Sequence, residues 1–193
     1  GISGLRGTGK TQLALQFGIQ PLSNNKKILF VDTTVEFRPE RFLQMIKSRN
    51  LSKNLLENLQ ISRVTNTHEQ VEILNNLPKQ DFSLLIIDNI TDLFAFEYAK
   101  REHFIEKNNN FANLMMKLLK IALLQNIPII ITNQILQTDD SKYQRMYLQL
   151  ENYLHQKIQL EKTKNDFSCK ISSPFIHETK FNYKITDSGI EET

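Results

Sequence analysis

Gly4-Leu5-Arg6-Gly7-Thr8-Gly9-Lys10-Thr11 is a complete G-x-x-x-x-G-K-T string. Its glycines let the backbone curl until several N–H groups point at one cluster of anionic oxygens. Lys10 is long enough to reach the β- and γ-phosphates of a nucleotide, and the Thr11 hydroxyl suits Mg²⁺. The helical stretch from Gln12 to Phe17 would aim its positive dipole end at the same phosphates. Gly4, Gly7, Thr8, Gly9, Lys10, Thr11 and Gln12 are therefore the candidate phosphate-binding residues. The alternative is a solvated glycine-rich turn.

Outward from this loop, helix and strand signals alternate. A helix is expected at about residues 10–19. Lys27-Ile28-Leu29-Phe30-Val31-Asp32 and Phe82-Ser83-Leu84-Leu85-Ile86-Ile87-Asp88 are short apolar runs that read as buried strands, as does Ile127-Pro128-Ile129-Ile130-Ile131-Thr132. Leu59 to Val64 alternates as a strand does. Between these lie helical patterns: Pro39 at a first turn with Phe42, Met45 and Ile46 on one face, then Asn66 or Thr67 capping a helix stopped by Pro78, then Phe111 to Leu124. Beyond residue 157 the pattern changes to short strands, Ile158–Leu160, Phe167–Ile171 and Phe181–Ile185. The fold class expected is α/β: a P-loop NTPase with a mostly parallel twisted sheet flanked by helices and a C-terminal antiparallel extension.

The bulk numbers agree with one domain over residues 1–193 without an internal boundary. The chain has 193 residues, 40% of them hydrophobic and 23% charged, with a net charge of +3. So mild a charge neither demands nor excludes nucleic acid, and any basic face has to be local. Cys169, the single cysteine, rules out an intrachain disulfide and reads as a small buried hydrophobe. No apolar run is long enough for a membrane helix, and no signal peptide is evident; a cytoplasmic protein, or a nuclear one in a eukaryote, is expected. The loop leaves no room for the strand that normally precedes it, which reads as an N-terminally incomplete core.

Ligands of open α/β sheets bind at the carboxyl ends of the strands. Asp88 ends one such strand and can hold Mg²⁺ directly or through water; the alternative is a helix-capping Asp ahead of Ile90-Thr91-Asp92. Gln134 ends another, where its amide would sense a γ-phosphate, or is simply loop. Glu36, after Asp32-Thr33-Thr34-Val35, is a candidate acid for orienting an attacking water, or a solvated loop acid.

Several further strings join the phosphate loop in order: Val31-Asp32-Thr33 with Phe37-Arg38-Pro39-Glu40-Arg41, then Leu84 to Thr91, Glu97-Tyr98, Thr132-Asn133-Gln134 and Ile185 to Glu192. Together they resemble the RecA-like recombinase core, in its archaeal RadA and eukaryotic strand-exchange branch, nearly end to end. The resemblance implies ATP-dependent assembly on single-stranded DNA, homologous pairing and DNA repair, with ATP and Mg²⁺ as cofactors. It puts Arg38 near the adenine and DNA-contacting loops after Tyr98 and after Gln134. Arg101 and Lys107 fall on basic positions of the first loop, where they would meet phosphates, or belong to a solvated helix face. In the second, Lys142 and Arg145 with Tyr143 and Tyr147 would contact phosphate and stack on bases, or pack as a helix. The family's N-terminal DNA-binding domain and polymerisation segment do not match any part of the 193 residues.

Three departures stand out. Thr34 occupies the position of the family's water-activating acid, and Glu36 lies two residues on, on the same side of an extended chain. Lys100 and Glu102 stand where the first DNA loop has glycines, and residues 136–152 contain none. The reading is therefore a recombinase or paralogue with weak DNA-dependent ATPase activity, with Lys10, Glu36 and Gln134 as its catalytic candidates. It would assemble with copies of itself or with a recombinase. A non-hydrolysing assembly subunit that regulates a true recombinase through protein contacts is the alternative. A RecA-like ATPase of the KaiC or RadB type, without strand exchange, is a third reading that the Phe37–Arg41 string and the last segment argue against.

Overall fold

The computed structural model describes residues 1–77, 81–135, 149–164 and 166–193, with Arg101 and Ile176 described by backbone alone. Its elements are β1 (Ile2–Gly4), α1 (Lys10–Ser23), β2 (Lys27–Asp32), α2 (Pro39–Lys47), β3 (Leu59–Arg63), α3 (Thr67–Asn76), β4 (Phe82–Asp88), α4 (Asp92–Glu97), α5 (Phe104–Gln125), β5 (Ile129–Gln134), β6 (Lys157–Lys162), β7 (Phe167–Ser173), β8 (Ile176–Thr186) and β9 (Gly189–Glu192). The strands form one nine-stranded sheet in the order β3-β2-β4-β5-β1-β6-β7-β8-β9. Pairing is parallel from β3 through β6 and antiparallel from β6 to β9.

The apolar runs of β2 and β4 are continuous because both faces of the sheet are covered. Ile28, Phe30, Leu84 and Ile86 pack under α1 and α2. Leu29, Val31, Leu85 and Ile87 point the other way, against α3, α4 and α5. In α2, Phe42, Met45 and Ile46 are buried behind Pro39 in the first turn, as their spacing predicts. In α3 the Asn66 side chain accepts from Glu69 N at 2.8 Å, while the Glu69 carboxylate accepts from Thr65 N at 2.7 Å, a reciprocal cap. The Glu97 carboxylate also accepts from Thr67 N at 2.7 Å, at the positive end of the same helix.

Four expectations need correction. The phosphate loop does have a preceding strand: β1 is only three residues long, but pairing on both sides, with β5 and β6, holds it in the sheet. Helix α1 continues to Ser23 through Pro21; in a final turn the proline removes one hydrogen bond instead of ending the helix. Strand β5 starts after Pro128, which has no N–H for the ladder and contributes only its carbonyl to Leu85 N at 3.2 Å. The ladder accordingly runs on to Asn133 and Gln134. Finally, the segment after Phe181 is a hairpin, with β8 returning as β9 through a turn at Asp187 and Ser188. Gly189 holds φ +129° at that turn.

This hairpin is strapped across α1 and α2. The Gln16 side chain donates to the Ile190 carbonyl at 3.1 Å and accepts from its N–H at 2.8 Å. Arg41 donates to Gln12 Oε1 at 2.9 Å and to the Thr186 carbonyl, and Arg49 donates to the Ser188 carbonyl at 2.8 Å. Cys169 on β7 is buried, as expected.

Candidate nucleotide site

The carboxyl ends of β1, β2, β4 and β5 meet at a cleft of about 220 Å³ lined by the phosphate loop, Thr34, Glu36, Asp88 and Gln134. The sheet order explains the convergence: β5 lies between β1 and β4, so Gln134 stands between the loop and Asp88.

The loop turns on Gly7 (φ +78°) and Gly9 (φ +91°), left-handed conformations open to glycine. A Cβ on Gly4 would lie 2.7 Å from Thr8 Oγ1 and closer still to the Leu160 carbonyl. Thr8 is buried and donates its hydroxyl to the Leu5 carbonyl at 2.9 Å. Tyr183 of β8 supports the loop from below, its hydroxyl donating to the Thr8 carbonyl at 2.6 Å. Ile185 and Ile190 lie under Gly9, within 3.1–3.2 Å of where its Cβ would be. Lys10 Nζ donates to the Leu5 carbonyl at 2.9 Å.

Thr11 Oγ1 donates to Asp88 Oδ2 at 2.6 Å, and Thr132 Oγ1 donates to the other carboxylate oxygen. Asp88 is buried, and burial raises its pKa against the opposing hydrogen bonds from the two threonines. Burial also lowers the pKa of Lys10, with Asp88 and Asp92 pulling the other way. Asp92, whose pKa is raised by desolvation of its carboxyl, accepts from Asn89 Nδ2 at 2.8 Å. One buried carboxylate and one hydroxyl beside the glycine-rich loop of a cleft suit a hard cation with few protein ligands.

Between β2 and α2, Asp32 builds the turn. Its Oδ1 accepts from Thr34 N and Thr34 Oγ1, each at 3.2 Å, and its Oδ2 from Phe37 N at 3.2 Å. The Thr33 hydroxyl accepts from Asn89 N at 2.8 Å and donates to Asn89 O at 2.6 Å, tying this turn to the end of β4. Val35 is left-handed, φ +58°, a conformation that costs a β-branched residue about 1–2 kcal/mol. Glu36 follows and pairs with Arg6, Arg6 Nη2 to Glu36 Oε1 being 2.9 Å.

Gly7, Gly9, Lys10, Thr11, Gln12, Glu36, Asp88 and Gln134 thus line one cleft, while Gly4 and Thr8 of the same loop are buried. Arg38 is exposed at the start of α2 and is not among the described lining residues. Lys107 is 6% exposed on the inward face of α5; as a phosphate-contacting surface cation it is withdrawn, because the helix turns it toward the core. Arg101 begins a short 3₁₀ turn, Arg101–His103. There the exposed Lys100 pairs with Glu102 at 3.7 Å, and His103 faces Glu102 and Glu106 at 3.5 and 3.4 Å. Lys142 and Arg145 lie outside the described residues. The sequence reading missed Arg6, Asn89, Asp92, Tyr183 and Ile185. Arg6 occupies a free position of the motif, and the other four become recognisable only through tertiary contact.

The sheet order, the loop and the Thr11–Asp88 bond define a RecA-like P-loop fold. The chain belongs to the Rad51 family, whose model matches residues 2–193. It is 28% identical over 209 residues to the DNA repair and recombination protein RadA of Ignicoccus hospitalis, covering 96% of this chain and 64% of that protein. It is 29% identical over 196 residues to the DNA repair and recombination protein RadB of Thermococcus sibiricus, covering 96% and 82%. The RadA of Metallosphaera sedula is 25% identical over 205 residues, covering 96% and 63%. The chain therefore spans less than two thirds of the length of either RadA. The RadB type thus stands among the relatives that the chain matches over most of their length. The family implies nucleotide binding with a divalent metal. Among the described residues, no helix is long and apolar enough to cross a membrane.

Proposed function

We propose that residues 1–193 are the ATP-binding core of a recombinase or recombinase paralogue that acts in homologous recombination and DNA repair. It binds single-stranded DNA with ATP as the switch and assembles with its own copies or with a recombinase, in the cytoplasm or in a eukaryotic nucleus. The observation that carries this reading is the 2.6 Å bond from Thr11 to Asp88, between residues 77 positions apart. It joins the loop hydroxyl to a buried carboxylate where a nucleotide-bound cation would be held.

In this reading the N–H groups of Gly7, Thr8, Gly9 and Lys10 cradle the phosphates, with Gly4 and Gln12 shaping the loop. Lys10 leaves the Leu5 carbonyl to clamp the β- and γ-phosphates. Thr11 and Asp88 hold Mg²⁺, which, when bound, offsets phosphate charge. Gln134 senses the terminal phosphate from between loop and carboxylate and relays its presence to the segment that follows, where Lys142 and Arg145 meet DNA phosphates alongside Arg101. Arg38 lies toward the adenine. Glu36 replaces the acid missing at Thr34 and orients water. A phosphate-driven switch of this kind orders loops through contacts made only in the triphosphate state.

A second reading is favoured by one observation: Thr34 hydrogen-bonds Asp32 and has no carboxylate to offer a water. It describes a subunit that binds ATP without turnover and regulates a recombinase through protein contacts. Steady-state ATP hydrolysis by the full-length protein, with and without single-stranded DNA, separates the two. DNA-stimulated turnover lost in Lys10→Ala and in Glu36→Gln supports the first. ATP binding without turnover in wild type, unchanged in Glu36→Gln, supports the second. Absence of nucleotide binding overturns both.

A further inference from the structure

The phosphate loop and the turn after β2 bridge the mouth of the cleft through a single ion pair. Arg6 Nη2 lies 2.9 Å from Glu36 Oε1, with the side chains 79% and 59% exposed. Both residues line the cleft together with Lys10, Thr11 and Gln134. Both charges act on Lys10, Glu36 favouring its charged form and Arg6 opposing it. So exposed a pair is weak and breaks readily for a stronger partner. A guanidinium is also the side chain best suited to phosphate, which it binds through paired N–H groups.

The turn that presents Glu36 is under backbone strain, because Val35 holds φ +58°, yet it is pinned on both sides. Asp32 bonds Thr34 and Phe37, and the Thr34 hydroxyl accepts from Glu36 N at 3.3 Å. Glu36 is thus a fixed post. Arg6 arises from the loop itself, on a long side chain that reaches across to Glu36.

Resting on the reading of this cleft as a nucleotide site, we infer that Arg6 is a specificity-determining residue that distinguishes nucleoside triphosphate from diphosphate, and that Glu36 competes with the terminal phosphate for it. With a diphosphate, the Arg6–Glu36 pair stays closed. A terminal phosphate adds charge at the mouth of the cleft and takes the guanidinium from Glu36. The free carboxylate then stands beside the terminal phosphate.

Competition fixes opposite signs for the two partners. Titration of the full-length protein with ATP and with ADP, each with Mg²⁺, by calorimetry tests this. Arg6→Ala weakens ATP about fivefold, the size of one exposed charged contact, and leaves ADP unchanged. Arg6→Lys restores part of the loss. Glu36→Gln removes the competitor and tightens ATP about two- to threefold by the same scale, again without effect on ADP. The double variant behaves as Arg6→Ala alone. Equal weakening of ATP and ADP in Arg6→Ala would overturn the inference, since Arg6 would then merely hold the loop. So would weaker ATP binding in Glu36→Gln, or no change in either variant. Wild type that binds neither removes the nucleotide reading and this inference with it.

Discussion

Replacing Tyr183 by Phe would delete one buried oxygen and little else. The ring stays packed on Phe167, with centroids 5.3 Å apart, so no cavity opens. What is lost is the 2.6 Å bond from the hydroxyl to the Thr8 carbonyl. A net hydrogen bond is worth about 1 kcal/mol, and a buried carbonyl deprived of its donor raises the cost toward 2 kcal/mol. At about 2–4 °C per kcal/mol for a chain of this size, a loss of about 1.5 kcal/mol lowers Tm by about 3–6 °C. Because Thr8 belongs to the phosphate loop, the variant should also gain less thermal stability from MgATP than wild type does. Burial pushes the phenol well above the ordinary tyrosine range, so the hydroxyl remains a donor and the difference in Tm should be flat from about pH 6 to pH 9. Differential scanning calorimetry over that range, with and without MgATP, makes the measurement. A Tm within about 1 °C of wild type would refute the account on the scale used above, as would a difference that vanishes by pH 9.

Other outcomes follow from the same geometry. Asp88→Asn should abolish Mg²⁺-dependent nucleotide binding yet raise Tm at neutral pH in the absence of nucleotide. The folded pKa of Asp88 is raised by burial, so the native state binds more protons than the unfolded state between the two pKa values, and stability falls as pH climbs through that window. The gain from Asn should therefore shrink as pH is lowered; a gain that grows toward acid refutes it. Val35→Gly should raise Tm by about 1–3 °C, the left-handed strain relieved less the glycine entropy cost; since Val35 is 48% exposed, a lower Tm means that its packing matters more than its φ angle. Cys169, buried and with its thiol pushed up to about 11, should resist a disulfide reagent at pH 8 until denaturant is added; prompt labelling of the native protein contradicts this.

Much of the site is written in local spacing. The loop motif fixes Lys10 and Thr11, and an apolar run ending in a carboxylate fixes Asp88, because both patterns arise from one element each. Gln134 was legible for the same reason, although Pro128 shifted the strand toward it. Lys107 was assigned to a DNA loop from the family resemblance; it shares a helical face with Phe111, Leu114 and Leu118, a spacing that marks it as inward. Tyr183 and Ile190 carried no local sign of standing beneath the loop, since nothing within a strand shows which distant backbone it will meet. Glu36 was visible as a candidate acid, but Arg6 at a free position of the motif was not, and their pairing comes with a left-handed valine that composition does not announce.

The contact between Tyr183 and Thr8 spans 175 positions of sequence. At about 5–20 residues per second of synthesis, the loop therefore leaves the ribosome roughly 9–35 s before the strand that supports it. During that interval Gly9 has neither Ile185 nor Ile190 beneath it. Closing so long a contact late also makes the pairing slow relative to the local helices. The phosphate cradle, though made well before the strand beneath it, should be among the last parts to mature. A nascent chain stalled before residue 183 should already hold α1 and the β2–β4 pairing, yet fail to retain nucleotide.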